Sequence, residues 1–198
     1  MAELAFWYDF ASTYSYVSAM RIGRLAAAAS VTVRWRPFLL GPIFAEQGWS
    51  DSPFNIYPTK GRYMWRDLER LCAREDLTLR HPSVFPRHSV LAARIALVAE
   101  AEGWCPQFTT AVFAANFAED REISKPATLA AILVDLGQPA DSVLARATAI
   151  ETKSGLRAQT EEAMRLGIFG APSFIVNEEL FWGNDRLHEA IAWAGAHR

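Results

Sequence analysis

Apolar and polar positions change their spacing along this chain, and the changes predict an α/β segment at each end. Residues 4–8 form an apolar, aromatic run that predicts a strand buried on both faces. Residues 9–13 are turn and cap residues, and from Tyr14 to about Ser30 apolar side chains recur at helical spacing. Residues 31–38 alternate apolar and polar side chains, which predicts a second strand. A right-handed crossover would make these two strands parallel.

Residues 39–59 contain repeated Gly and Pro turn signals and are predicted to be a loop. This loop also carries the aromatic side chains Phe44, Trp49, Phe54 and Tyr57. Long loops inside compact domains are often functional, so the segment could form a wall or lid of a pocket. It could equally be a surface excursion that packs on its own aromatic residues.

The middle of the chain has helical periodicity without a strand pattern. Residues 77–86 are predicted to be extended, because they contain His81-Pro82 and Phe85-Pro86. Asp141 is predicted to cap the helix that follows it. Helices are predicted over residues 60–75, 87–102, 106–119, 126–136, 141–150 and 153–166. This pattern favours a helical bundle inserted between two α/β halves.

The C-terminal segment reads as a hairpin followed by a helix. Residues 173–176 and 180–182 predict two antiparallel strands, joined by a tight connection at 177–179. Asn184-Asp185 is predicted to cap a final helix over residues 186–194.

A strand–helix–strand unit first and a strand–strand–helix unit last is the order of a thioredoxin-like α/β fold, here with a large all-helical insertion. We predict a thioredoxin-like domain of residues 1–45 and 153–198, and a loop plus helical insertion domain over 46–152. That fold places a cis-proline directly before its third strand, where Ala171-Pro172 stands. A cis bond there would expose the backbone N–H and C=O of the preceding residue at the site.

Composition narrows the classes of function. The 198 residues carry a formal net charge of −2 and no basic stripe, which disfavours nucleic-acid binding. No apolar run is long enough to span a membrane, and the N-terminus lacks a signal-peptide pattern, so we expect a cytoplasmic protein. Cys72 and Cys105 are isolated and the 4 histidines show no zinc spacing, which predicts reduced thiols and no metal site. The 7 Trp and 12 Phe suit a core, and also a site for a flat organic molecule.

Two polar residues at helix starts are candidates for binding an anion. Ser12 is expected where free N–H groups and the helix dipole favour negative charge. Serine is also among the commonest N-cap residues, so Ser12 could do no more than cap the helix. Lys60 opens a charged helix at the end where a cation is unfavourable. It could face an anionic ligand, or it could simply be exposed.

Two segments resemble those of one enzyme family. Residues 9–16, Asp-Phe-Ala-Ser-Thr-Tyr-Ser-Tyr, are similar to the start of 2-hydroxychromene-2-carboxylate isomerases. Residues 169–187, which include Phe-Gly-Ala-Pro-Ser-Phe and Leu-Phe-Trp-Gly-Asn-Asp-Arg-Leu, are similar to their end. These are glutathione-dependent enzymes of the DsbA-like, kappa-class glutathione transferase superfamily. The resemblance spans nearly the whole chain and implies glutathione as the cofactor.

The resemblance implies that Ser12 donates a hydrogen bond to the glutathione sulfur and holds it as a thiolate. Ser12 stands where the oxidoreductase branch has the first cysteine of a C-x-x-C motif. A serine cannot exchange disulfides, so oxidoreductase activity at this site is excluded. Many relatives have Ser-Pro here, whereas this chain has Ser12-Thr13, and both residues are tolerated in a first helical turn.

Further positions carry over from the same resemblance. Ala171, before Pro172, would pair with the cysteinyl part of glutathione, and Asp185 would pair with its ammonium group. Asn55 and Lys60 fall near the family's substrate-side Asn and Lys. The segment that binds the γ-glutamyl end corresponds to Trp182, Gly183, Asn184 and Asp185.

Three functions are consistent with these residues. The first is isomerisation of an aromatic pyruvate-type acid by reversible thiolate addition, bond rotation and elimination. The second is transfer of glutathione to an electrophile at the same site. The third is a non-enzymatic thioredoxin-fold binding module in which Ser12 is only a cap. We favour the first, with a small aromatic carboxylate as substrate, and a homodimer is compatible with it because relatives are often dimers.

Overall fold

The computed structural model describes residues 2–197, and its centre is a four-stranded mixed sheet. The strands are β1 (Ala2–Tyr8), β2 (Val31–Pro37), β3 (Ser173–Val176) and β4 (Glu179–Trp182), in the order β2-β1-β3-β4. β1 pairs with β2 in parallel, as the crossover predicted, while β1–β3 and β3–β4 are antiparallel. The sheet joins the two ends of the chain.

Helices cover the sheet and fill the middle of the chain. They are α1 (Thr13–Ala28), α2 (Leu40–Glu46), α3 (Pro53–Ile56), α4 (Pro58–Arg74), α5 (Val90–Glu102), α6 (Cys105–Phe117), α7 (Pro126–Asp135), α8 (Ala140–Thr148), α9 (Ile150–Arg165) and α10 (Leu187–Ala196). A short 3-10 helix, Asn184–Arg186, precedes α10. The helices predicted after residue 60 are all present, with shifted ends. Within residues 2–197, no helix combines the length and apolar character needed to cross a membrane.

The prediction of a continuous loop over residues 39–59 is wrong, because α2 and α3 lie within it. α3 has a local signal, since the Ser52 hydroxyl accepts a bond from the Phe54 N–H and Pro53 starts the helix. α2 has no capping side chain of its own at Leu39. Instead, the carboxylate of the distant Asp9 accepts the Leu40 N–H at 2.8 Å. A cap supplied by tertiary structure leaves no local sequence signal.

Two predicted helix caps are also wrong. Asp141 lies inside the first turn of α8, which starts after Pro139 without a side-chain cap bond. Asn184 and Asp185 lie in the 3-10 helix, and α10 begins only at Leu187. Asn184 is turned towards α1 instead, as described below.

The hairpin connection is shorter than predicted. Asn177 and Glu178 both have positive φ, at 48° and 72°, while Glu179 already pairs in β4. Positive φ at both central residues is the signature of a two-residue type I′ turn, whose twist matches that of antiparallel strands. The tight turn therefore sets the register that ends at Trp182.

The alternating faces of β1 pack against different layers. Phe6 and Tyr8 belong to the main core, whereas Trp7 belongs to a smaller cluster on the opposite face. The Tyr8 ring lies 5.9 Å from that of Phe113 on α6, and the Phe10 ring lies 5.1 Å from it. This aromatic core continues across the predicted domain limits at residues 46 and 152, so the division stays a prediction.

Candidate active site

Ser12 is the N-cap of α1 and also bridges to the segment before β3. Its hydroxyl oxygen accepts the Ser15 N–H at 3.1 Å and donates to the Ala171 carbonyl oxygen at 3.0 Å. The capping role expected of a serine is thus present, with only 9% of the residue exposed. The hydroxyl therefore joins the positive end of α1 to the segment before β3.

The Ala171–Pro172 bond is cis, as the fold order predicted. The Pro172 carbonyl accepts the Gly183 N–H at 2.9 Å, which ties the loop before β3 to the residues after β4. Ala171, Pro172 and Gly183 therefore lie together beside Ser12, although 159 positions separate Ala171 from Ser12 in the sequence.

A cleft of about 810 Å³, here called the charged cleft, opens on one side of this junction. Its walls come from α1, α4 and the segment after β4, and they also include Ala171, Pro172, Trp182 and Gly183. Charged side chains of both signs line it: Arg21, Asp67, Arg74, Glu75, Asp185 and Arg186. Such a lining suits a small ligand that itself carries both kinds of charge.

Arg21 organises the charged cleft and was missed by sequence reasoning. Its guanidinium lies 2.6 Å from Glu75 and donates to the Asn184 side-chain oxygen at 3.0 Å. Ser18 donates to the same oxygen, also at 3.0 Å. The hydrogen bond from Arg21 holds the pKa of the Glu75 carboxyl below its ordinary value. A single arginine on the buried face of an alanine-rich helix was the signal available in the sequence.

The four residues predicted to bind the γ-glutamyl end, 182–185, all line this cleft, but their side chains have different roles. Asn184 is buried and occupied by Arg21 and Ser18, so it positions the segment. Asp185 has a 76% exposed side chain whose nearest cation, the Arg186 Nε, is 3.8 Å away. Gly183 has φ +108°, and a Cβ there would lie 2.5 Å from an Asp185 carboxylate oxygen. Glycine thus leaves the Asp185 carboxylate free to meet a ligand.

A second cavity of about 680 Å³, here called the apolar cavity, opens on the other side of Ser12. Its lining includes Ser12 itself, the exposed Lys60 and His88, and aromatic side chains from several segments. The aromatic members are Tyr14, Phe44, Trp49, Phe54, Phe85, Phe169 and Trp182. The segment predicted as a pocket wall does therefore supply one.

Three residues line both cavities, namely Tyr14, Ala171 and Trp182. The Tyr14 hydroxyl donates to an Asp67 oxygen at 3.0 Å, and burial, followed by Asp67, raises the Tyr14 pKa. Trp182 is 53% exposed and its ring lies 4.8 Å from that of Phe169. The two cavities consequently meet at the residues next to the Ser12 hydroxyl.

The two predicted substrate-side residues behave differently. Lys60 lines the apolar cavity, with its ammonium 5.3 Å from the centre of the Tyr57 ring. Asn55 is not part of the lining, and its amide donates to Asp51 at 3.1 Å and to the Phe85 carbonyl at 3.2 Å. Asn55 therefore holds the wall together and is not brought to Ser12.

Asp9 is a site residue that sequence reasoning treated only as part of a turn. It lines the apolar cavity although only 4% of it is exposed. Burial raises the pKa of its carboxyl above the ordinary value, although hydrogen bonds from Ala11, Leu40 and Ser89 each lower it. An acidic residue directly after a buried aromatic strand was the available signal.

The two cysteines stand outside the site. Both are buried, and burial raises the pKa of each thiol to about 11. Across residues 2–197, no cluster of His, Cys, Asp or Glu side chains could hold a metal ion. The charges available for chemistry at this site are those of the two cavities.

Comparison with known proteins agrees with the fold. Residues 3–191 match the family described as the DSBA-like thioredoxin domain. A 2-hydroxychromene-2-carboxylate isomerase from Sphingobium xenophagum is 27% identical over 183 residues, which cover 92% of each protein. Glutathione S-transferase kappa 1 from Homo sapiens is 24% identical over 195 residues, covering 91% of this chain and 85% of that protein. The structure of a 2-hydroxychromene-2-carboxylate isomerase has a TM-score of 0.89 at 23% identity, covering 98% of this chain and 95% of that one.

Proposed function

The chain belongs to the DSBA-like thioredoxin domain family, and on that premise we propose that it is a glutathione-dependent isomerase. Its proposed substrate is an aromatic acid of the 2-hydroxychromene-2-carboxylate type, the compound for which the Sphingobium relative is named. The observation that carries the proposal is the place of the Ser12 hydroxyl, at the N-terminus of α1 where the charged cleft meets the apolar cavity.

The charged cleft suits glutathione by the chemistry of its lining. Glutathione has an ammonium group and two carboxylates, and the cleft offers exposed acidic and basic side chains together. Asp185 would accept the ammonium. Arg74 and Arg186, which form ion pairs with Glu75 and Glu189, would share their guanidinium groups with a carboxylate. Ala171 would offer its backbone to the peptide part, as a strand edge does.

Ser12 would stabilise the sulfur as an anion. In this structure, the Ser12 hydroxyl donates to the Ala171 carbonyl. When glutathione is bound, the hydroxyl would donate to the thiolate instead. The free N–H groups and the dipole of α1 favour negative charge at the same end. The chemistry that glutathione supplies when bound is a thiolate that adds reversibly to a conjugated double bond, which can then rotate before the thiolate leaves.

The apolar cavity would hold the aromatic acid. Its aromatic walls suit a flat ring, and Lys60 is the cation placed to meet a carboxylate. The walls would also exclude water from the reacting centre, which strengthens the electrostatic effect of Ser12.

Glutathione transfer to an electrophile is the second candidate, because the same cavity is largely aromatic and does not require a charged substrate. The human relative is named for that activity. A binding module without catalysis would need no activated thiol.

One experiment separates these functions. The purified protein is mixed with 2-hydroxychromene-2-carboxylate, with and without glutathione, and products are analysed. The isomerase proposal expects acceleration only with glutathione and full recovery of the thiol. A stable conjugate would indicate a transferase instead, and no acceleration with this acid would overturn the proposed reaction.

A further inference from the structure

One buried carboxylate connects the Ser12 turn to both walls of the apolar cavity. Asp9 Oδ1 accepts the Ala11 N–H at 2.9 Å and the Ser89 hydroxyl at 2.7 Å. Asp9 Oδ2 accepts the Leu40 N–H at 2.8 Å. The Asp9 main-chain carbonyl also accepts the Ser12 N–H at 2.9 Å. Each bond from Asp9 therefore reaches the turn or a wall.

The two wall contacts come from separate parts of the chain. Leu40 is the first residue of α2, the helix that presents Phe44 to the cavity. Ser89 directly follows His88, which also lines the cavity, and it precedes α5. Both α2 and α5 begin without a side-chain cap of their own. The Asp9 carboxylate caps α2 through the Leu40 N–H, and it holds the residue before α5 through the Ser89 hydroxyl.

A carboxylate suits these partners because both of its oxygens accept hydrogen bonds. Ala11, Leu40 and Ser89 all donate to it, and an Asn side chain would present a donor nitrogen to at least one of them. Burying an ionisable carboxylate costs free energy, and a turn can end without one. Buried acids with a perturbed pKa are found more often at functional sites.

The charged cleft is held by a different network. Its buried polar centre is Arg21 with Asn184 and Glu75, and none of these residues contacts Asp9 in any described hydrogen bond or ion pair. The two cavities beside Ser12 can therefore be disturbed separately.

We propose that Asp9 is a positioning residue that fixes both walls of the apolar cavity against Ser12 and so sets the affinity for the electrophile, not for glutathione. This inference rests on the proposed function for the use made of the cavity. The geometry of the walls can be tested without it.

The first test compares wild type with Asp9→Asn, measuring the KM of the electrophile at saturating glutathione and the Kd of glutathione by calorimetry. Losing a hydrogen bond to a charged acceptor is expected to raise the electrophile KM about tenfold. The glutathione Kd should stay within about twofold, since Asp9 makes no contact with the charged cleft. Equal changes in both constants, or an unchanged KM, would overturn the proposal.

A second pair of variants removes one bond only and guards against misfolding of Asp9→Asn. Leu40→Pro deletes the N–H, and proline is compatible with the first position of α2 because Leu39 before it is extended, at φ −114° and ψ 123°. Leu40→Ala is the matched control, because it removes the side chain but keeps the N–H. We expect Leu40→Pro to exceed Leu40→Ala in electrophile KM by about threefold to tenfold.

Hydrogen exchange gives a reading that does not depend on activity. In Asp9→Asn, the backbone amides of residues 40–47, except Pro42, should exchange faster than in wild type, whereas those of residues 184–187 should not change. Unchanged exchange at Leu40 would refute the positioning role. Wild-type protein that neither binds nor uses glutathione would refute the proposed function alone, and the exchange result would still decide whether Asp9 fixes the walls.

Discussion

The charged cleft and the apolar cavity meet at Tyr14, Ala171 and Trp182, beside Ser12, but are built in opposite ways. The cleft has paired charges on α1, α4 and the segment after β4, with Arg21 fixed by Glu75 and Asn184. The cavity has aromatic walls with few charges, and its walls come from short helices and an extended segment. A fixed set of charges selects one polar ligand, whereas apolar walls accept many flat ones. Under the proposed function, the charged cleft would hold a constant thiol cofactor and the apolar cavity a more variable electrophile.

The charged cleft and the apolar cavity are also held in place by different contacts. Arg21 and Ser18 lie on one helix and hold Asn184 through the interior of the protein. The α2 wall depends on the carboxylate of Asp9, which acts as its tertiary cap. Substitutions that affect one cavity, or both, therefore test whether the two cavities are independent.

The largest effect is expected from Ser12→Ala, because Ser12 lines the apolar cavity and bonds to Ala171, which lines both cavities. Removing a donor that stabilises a developing or resting anion should lower kcat about 100-fold, measured as glutathione-dependent turnover. The matched control is Ser15→Ala, since the Ser15 hydroxyl is buried without a hydrogen-bond partner in the described part of the chain. Retained turnover in Ser12→Ala, or an equal loss in Ser15→Ala, would contradict the role given to Ser12.

Asp185→Asn should affect the charged cleft alone. The exposed carboxylate is expected to contribute a moderate, salt-dependent attraction, so the Kd of glutathione should rise roughly fivefold in calorimetry. The KM of the electrophile should stay the same. Glu179→Gln, an exposed acid at the start of β4 and outside the cleft lining, serves as the control and should leave both constants unchanged.

Lys60→Gln should affect the apolar cavity alone, and by less. A single exposed cation is worth little in water, so the KM of an aromatic carboxylate should rise about threefold. An uncharged electrophile is the control ligand, and its KM should not change. A similar rise for both electrophiles would mean that Lys60 supports the wall and does not bind the carboxylate.

The smallest effect concerns the pH dependence of stability. Burial raises the pKa of Asp9 in the folded state, so the native protein binds more protons than the unfolded chain between the ordinary and the raised pKa. The free energy of unfolding of wild type, relative to Asp9→Asn, should therefore increase as the pH falls through the raised pKa. Urea titrations of both proteins across the acidic range measure this difference. A relative loss of wild-type stability over the same range would mean that the pKa is lowered.

Much of the fold could be predicted because its signals are local. Helical spacing and prolines marked most helices, and the strand–helix–strand and strand–strand–helix order gave the topology. The cis bond before Pro172 followed from that topology. The helix α2 could not be predicted, because its cap is a carboxylate 31 residues away in the chain. Tertiary capping has no local pattern.

Some residues of the candidate site could also be predicted from local motifs, whereas others could not. Ser12, Ala171 and Asp185 came from motifs, and the fold brings their neighbourhood together. Arg21 and Asp9 escaped notice because their roles depend on partners such as Asn184, which lies 163 residues from Arg21. Asn55 has the expected residue type but is engaged by Asp51 and the Phe85 carbonyl. A motif fixes residue identity, whereas the contacts decide which side chains remain free.

The most direct test is the ultraviolet thiolate absorbance of glutathione bound to the protein, followed against pH in wild type and in Ser12→Ala. Cys72 and Cys105 should add no thiolate signal near neutral pH, because burial raises both pKa values to about 11. The account predicts that the bound sulfur ionises well below free glutathione, and that Ser12→Ala abolishes the shift. Glutathione that does not bind, or that ionises as it does in free solution, would contradict the claim that this junction activates a thiol.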